Sequence, residues 1–218
     1  MDLSFMERFL PMYVTAAQLT LNIALIGIAI SVVIGIAASL ALYYRIPGLR
    51  QLVAVYVELS RNTPLLVQLF FLYFGLPKIG IRLSPEICGI IGLSFLGGAY
   101  MTETFRAGLE TVERIQSESA LSLGMSQAAT MRYVILPQAI KNILPALGNE
   151  FITIIKDSSL LSAIGVMELW NGATTVSTTT YLPLTPLLFA AFYYLIMTSI
   201  LTLALKAFEN RMGQGDKK

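Results

Sequence analysis

Charged and amide side chains inside apolar stretches offer the most chemistry in this chain. Glu58, Arg61 and Asn62 lie three and four residues apart, a spacing that puts them on one face of a helix. Glu103 and Arg106 repeat the three-residue spacing, and Lys156-Asp157 stands directly before Ser158-Ser159. An ionisable group at the centre of a membrane helix costs about 2.5–3.5 kcal/mol on insertion scales, so such groups face protein or water rather than lipid. Two readings fit the first two sets: an intrahelical ion pair that fixes packing, or donors and acceptors lining a polar path. The third set favours the path. A Lys-Asp pair with two serines at a helix end, followed by apolar Leu160, suggests a broken helix whose terminal backbone groups line a cavity. The chemistry on offer is recognition of charge rather than bond-making. Histidine is absent from the sequence, and the one cysteine, Cys88, is expected to be a small buried apolar residue. Neither a G-x-x-x-x-G-K-[ST] phosphate loop nor any Gly-Lys pair occurs, so a nucleotide cannot be cradled in that way.

The elements that must hold these residues are membrane helices. The chain has 218 residues, 56% of them hydrophobic and 13% charged, an apolar excess too large for one small core to hide. Residues 9–44 and 169–205 are uncharged, and each run exceeds the ~20 residues that span a bilayer. An all-α, polytopic membrane protein follows, as a single domain over residues 1–218. Five spans are expected, at about 15–44, 52–74, 87–106, 138–156 and 187–205, with Pro64 interrupting the second and a Ser/Thr-rich loop over 174–186. Gly89, Gly92, Gly97 and Gly98 read as helix contacts in the third span. Phe70, Phe71, Tyr73 and Phe74 read as packing and interfacial anchors, and Trp170 as an outer-interface residue. Asp2, Glu7 and the length of the first apolar run argue against a removable signal peptide.

Placing Arg45, Arg50, Arg106, Arg114, Arg132, Lys141, Lys206, Arg211, Lys217 and Lys218 on one side leaves Arg8, Lys78 and Arg82 on the other. The N-terminus is therefore expected outside and the C-terminus in the cytoplasm. A net charge of +2 with mixed signs is no nucleic-acid footprint. A passive oligomeric channel is an alternative for such a chain, but no ring of like charges recurs along one helix.

The longest polar segment, 107–137, reads as a short helix, a break at Gly124, a second short helix and a proline at the entrance to the fourth span. Taken alone, it is either a solvated connection or a lever on the flanking spans. Glu118, Ser119, Ala120, Gly124, Leu136 and Pro137 stand at the spacing of the E-A-A-x3-G-x9-I-x-L-P signature, with Ser119 and Val134 as conservative departures. Further blocks agree: Arg61-Asn62-Thr63-Pro64-Leu65-Leu66, Gly75-Leu76-Pro77, Arg106-Ala107-Gly108, Leu136-Pro137-Gln138-Ala139 and Lys156-Asp157-Ser158-Ser159-Leu160. Together these resemble the polar amino-acid branch of the ABC-importer permeases over most of residues 56–169.

That resemblance implies a type I ABC-importer permease core in the cytoplasmic membrane of a prokaryote, with no cofactor of its own. ATP and Mg would be bound by a cytoplasmic ATPase dimer whose cleft receives the signature segment as a coupling helix. A second permease copy or a related permease, and an external solute-binding protein, complete the implied assembly. For an amino-acid substrate, Arg61, Lys156, Asn62 and Thr63 could serve the carboxylate. Glu58, Asp157 and the hydroxyls of Thr102 and Ser159 could serve the ammonium. Glu58 is not fixed in the family pattern and Asn62 stands where glycine is common, so both are candidates for tuning selectivity; the extra carboxylate hints at a cationic substrate.

Overall fold

In the computed structural model, residues 3–213 are described, with side chains from 8 to 211. Asp2, Lys217, Lys218 and the side chain of Glu7, used above, lie outside the described residues. Every regular element among the described residues is a helix. Helix α1 (Leu3–Tyr43) starts well before the first expected span. A turn with Arg45 and Gly48 at positive φ leads into α2 (Leu49–Asn62). Thr63 is then extended and Pro64 starts α3 (Leu65–Phe70), which runs on through a π-helical turn, Phe71–Gly75, and a 3-10 helix, Leu76–Ile79. The second expected span is thus two helices, because proline removes a backbone donor and drives the residue before it out of helical geometry. Gln68 braces the break, its Nε2 donating to the carbonyls of Ser60 and Thr63, both at 3.0 Å.

Helix α4 (Pro85–Thr111) is capped by Ser84, whose hydroxyl accepts from the Ile87 amide at 3.3 Å. Short helices α5 (Arg114–Ser122) and α6 (Gln127–Thr130) follow, and a π-helical turn, Met131–Ile135, continues into α7 (Leu136–Asp157). Helix α4 extends to Thr111, into the start of the 107–137 segment. Beyond α7 the chain tightens into a 3-10 helix, Ser158–Ile164, and then forms α8 (Leu169–Thr180) and α9 (Thr185–Gly213). By length and composition alone, two helical stretches among the described residues suffice to cross a membrane, Arg8–Tyr43 and Thr185–Arg211.

Helix α8 corrects the expected 174–186 loop. The sequence reading weighed threonine as a loop former, whereas here the hydroxyls of Thr174, Thr178, Thr179 and Thr180 donate to carbonyls three or four residues back. Glu168 caps the helix by accepting from the Trp170 and Asn171 amides at 2.8 and 2.7 Å. Ala173 and Val176 are buried, so tertiary packing overrides a weak propensity.

Helix α4 is the axis of the bundle, packing along α1 and against α2, α3 and α7. Its glycines are contacts rather than hinges, as expected: Gly89 meets Leu161, Gly92 meets Leu65 and Leu69, Gly97 meets Ser31 and Ile154, Gly98 meets Tyr56 and Ile34, and Gly108 meets Ile143. Cys88 is fully buried in the same core. Phe70 and Tyr73 both pack edge-on against Phe74.

Helix α1 is backed tightly onto the α4 backbone at Gly35, where a Cβ would stand 2.7 Å from Met101 Cβ and 3.0 Å from its carbonyl carbon. Gly35→Ala should therefore lower stability by about 1–3 kcal/mol, through overpacking against backbone that cannot move aside. Gly172→Ala, whose Cβ would meet nothing nearer than 3.5 Å, should be neutral or stabilising. Thermal unfolding of the two detergent-solubilised variants checks the contrast; equal midpoints would count against this packing.

Candidate functional site in the bundle interior

One α4 carbonyl fixes the polar face of α2. Phe95 O accepts from Tyr56 Oη at 2.7 Å and from Ser60 Oγ at 3.1 Å, so Val53, Val57 and Ser60 turn inward. On the opposite side Glu58, Arg61 and Asn62 open onto a cavity of about 620 Å³, whose walls also carry Arg45, Arg50, Tyr100, Glu103, Arg106 and Glu110. Four arginines and three glutamates in one polar cavity make it a place for charged or zwitterionic solutes.

The ion pairs differ from one reading of the sequence. Glu58 and Arg61 do not pair: Arg61 Nη1 reaches Glu103 Oε2 on α4 at 4.0 Å, and its guanidinium lies 5.4 Å from the Tyr100 ring centroid. Spacing along one helix shows which residues share a face, but the partner came from the next helix. Glu103 and Arg106 do pair, at 2.7 Å, and Arg106 also grips both oxygens of Glu110 at 2.9 and 3.0 Å.

At Lys156-Asp157 the α-helix gives way directly to the 3-10 helix Ser158–Ile164. Ser158 Oγ donates to Ile155 O and Ser159 Oγ to Lys156 O, each at 2.7 Å, so the serines satisfy carbonyls that the helix leaves open. Both helix breaks fall at a similar height on α4: Ser60 bonds Phe95 O, while Ile154 would meet a side chain at Gly97. On the other side of the breaks, Leu65 meets Gly92 and Leu161 meets Gly89.

Of the site residues expected from sequence, Glu58, Arg61 and Asn62 share the cavity, Thr63 stands in the α2–α3 break, and Lys156, Asp157 and Ser159 stand at the end of α7. Thr102 does not join them, because it is fully buried and its hydroxyl donates to Gly98 O at 2.7 Å. Glu150, not among the site residues expected from sequence, has Arg61 and Asp157 as electrostatic neighbours. Its signal was there: it precedes Asp157 by two helical turns and so shares its face. Among the described residues no group of three or more His, Cys, Asp or Glu side chains could hold a metal ion.

At the opposite end of α4, Ala120 is the buried residue of α5, and Gly124 ends the segment at φ 84°. Backbone bonds from Leu123 to Ser119 O and from Met125 to Ala120 O close the turn. Ile115, Leu121, Leu123 and Tyr133 stay exposed around it.

Comparison with known proteins agrees with this arrangement. Residues 31–214 match the model of the family described as binding-protein-dependent transport system inner membrane component. A probable glutamine ABC transporter permease protein, GlnM, of Bacillus subtilis (strain 168) is 35% identical, covering 97% of this chain and 98% of its own. The arginine transport system permease protein ArtQ of the same organism is 32% identical over 99% of both chains. A crystal structure titled as an amino acid ABC transporter with histidines superposes with a TM-score of 0.88 at 38% identity, over 97% of this chain and 99% of that one. These similarities do not favour the passive-channel alternative. A chain whose bundle carries a charged cavity beside two broken helices, and whose sequence matches that family from its first long helix to its last, belongs to the inner-membrane permease components of binding-protein-dependent ABC importers for amino acids.

Proposed function

We propose that this permease carries cationic amino acids inward by alternating access, driven by a separate cytoplasmic ATPase dimer that engages α5. The carrying observation is that α2 ends at Asn62 on the charged cavity, while α7 ends at Asp157, whose carboxylate adds to the negative end of that helix. A helix C-terminus bears partial negative charge, so this region suits an ammonium or guanidinium group. Lys156, Asn62, Thr63 and Ser159 supply donors and hydroxyls for the other end of an amino acid, and Glu58 tunes the approach through the cavity. The relatives named for arginine and for glutamine make both amino acids the natural probes.

The chain crosses the membrane five times in this reading, with the N-terminus outside and α5 in the cytoplasm, in agreement with the arginine distribution. Around α5, the exposed Ile115, Leu121 and Leu123 give the ATPase an apolar surface to grip, with Glu118 and Ser119 on the docking segment. Leu136 and Pro137 join that segment to α7, so a push on α5 reaches the break at Asp157 through one helix. A second permease copy or a related permease faces the cavity, and an external solute-binding protein delivers substrate.

Asp157→Asn should cut arginine uptake into proteoliposomes about tenfold or more while sparing glutamine uptake, since it removes the charge and keeps the shape. Equal losses for both amino acids would remove the cationic assignment. Gly124→Val should leave membrane insertion intact and lower the stimulation of ATP hydrolysis by loaded binding protein by about fivefold or more. A β-branched residue is strained at that positive φ, although nothing lies within 4 Å of the glycine. Undiminished stimulation in this variant would dissociate α5 from energy transfer.

A further inference from the structure

Helix α1 ends in a turn that suits glycine better than arginine. Arg45 N–H donates to Leu42 O and Ile46 N–H to Ala41 O, each at 3.2 Å, the pair of bonds that closes a helix on a left-handed residue. Glycine adopts that conformation freely, yet here Arg45 holds it at φ 52°. Arg50 follows in the first turn of α2, its N–H donating to Ile46 O at 3.0 Å. Both arginines line the charged cavity of about 620 Å³, and so does Glu58. With Ala54 between them, Arg50 and Glu58 form one row along the α2 wall, their backbones about 12 Å apart along the axis. Among the described residues Arg45, Arg50 and Glu58 have no ion pair: Arg106 takes Glu103 and Glu110, and Glu103 is also the carboxylate that Arg61 reaches. The cavity thus has two uncommitted cations at one end and an uncommitted carboxylate two turns away. That cationic end lies beside α5, because Tyr43 lines a smaller pocket with Arg114, Ser117 and Glu118.

We propose that this end of the cavity is a second amino-acid seat, separate from the substrate place at the ends of α2 and α7: Arg45 and Arg50 take the carboxylate, and Glu58 takes the cationic group of the side chain. The proposal rests on the reading of the chain as a carrier of cationic amino acids with α5 in the cytoplasm. Guanidinium groups match a carboxylate with paired donors, and a strained backbone kept by arginine where glycine would relax it points to a use for that side chain. A small anion would satisfy the arginines and leave Glu58 alone. An elongated molecule with a carboxylate at one end and a cation at the other satisfies all three. Being beside α5, the seat fills from the cytoplasm as imported amino acid accumulates. Its occupant spans a cavity open to that side and so favours the state in which the cavity is open there, which opposes further import.

The test measures equilibrium binding of radiolabelled L-arginine to the permease–ATPase complex in detergent, without binding protein. Wild type should hold two molecules per permease chain. Arg45→Gly combined with Arg50→Gln should hold one, while its melting temperature does not fall, because glycine suits the positive φ. Weaker binding without weaker folding separates a ligand role from a structural one. Asp157→Asn should also lose one molecule, from the other place. Agmatine, which keeps the guanidinium and lacks the carboxylate, should displace only one of the two molecules from wild type. In proteoliposomes, internal L-arginine should slow uptake by wild type about fivefold and spare the double variant. Retention by the double variant of every molecule that wild type binds would overturn the proposal, as would equal displacement of both molecules by agmatine or equal slowing of uptake in the two forms. Loss of one molecule in the double variant with none lost in Asp157→Asn would uphold the second seat and bring down the assignment of substrate to the end of α7 instead.

Discussion

The structure hangs on how closely other helices can come to α4. Gly89, Gly92, Gly97, Gly98 and Gly108 each lie against another helix, and a Cβ at any of them would press on a side chain there. In lipid the hydrophobic effect does not drive helices together, so close backbone approach and the dispersion it allows carry more of the association. Small residues therefore set the distances. With α1 and α7 drawn in by Gly35, Gly97 and Gly108, the remaining side of α4 is free to present Tyr100, Glu103 and Arg106 to the cavity.

Around that axis, polar groups are handled by short-range solutions. The break at Thr63–Pro64 is bridged by Gln68, the end of α7 by the hydroxyls of Ser158 and Ser159, and the start of α8 by the fully buried Glu168, which also accepts from Tyr194 at 2.9 Å. A Glu168 carboxylate with three donors can be buried where a bare one could not. Irregular backbone survives at this depth because protein groups satisfy it. The charged residues facing the cavity are treated differently. Arg106 is held by two carboxylates of its own helix, while Arg61 reaches one carboxylate, on α4, at 4.0 Å.

Distance along the chain also separates the two ends of the molecule by one continuous element. From the turn at Gly124 the chain passes through α6 and a π-helical turn into α7, whose far end is the Asp157 break. One helix thus runs from the segment that leaves Leu121 and Leu123 exposed to the change of helical geometry at Asp157.

Much of this was legible in the amino-acid order. Uncharged runs gave the helical membrane class, proline and the Lys-Asp-Ser-Ser run marked both breaks, and the signature at Glu118–Pro137 and its companion blocks gave the family resemblance. These are local signals: each depends on residues within a few turns of one another. Tertiary structure decided the rest. The partner of Arg61 is Glu103 rather than Glu58, the threonines of 174–180 are helical because Ala173 and Val176 find a buried face, and Thr102 points into packing rather than the cavity. Glu150 gained Arg61 as an electrostatic neighbour only once α7 was laid against α4. A charge in a membrane protein chooses its partner by proximity in three dimensions. Periodicity along one helix fixes the face a residue occupies and leaves open which neighbouring helix that face will meet.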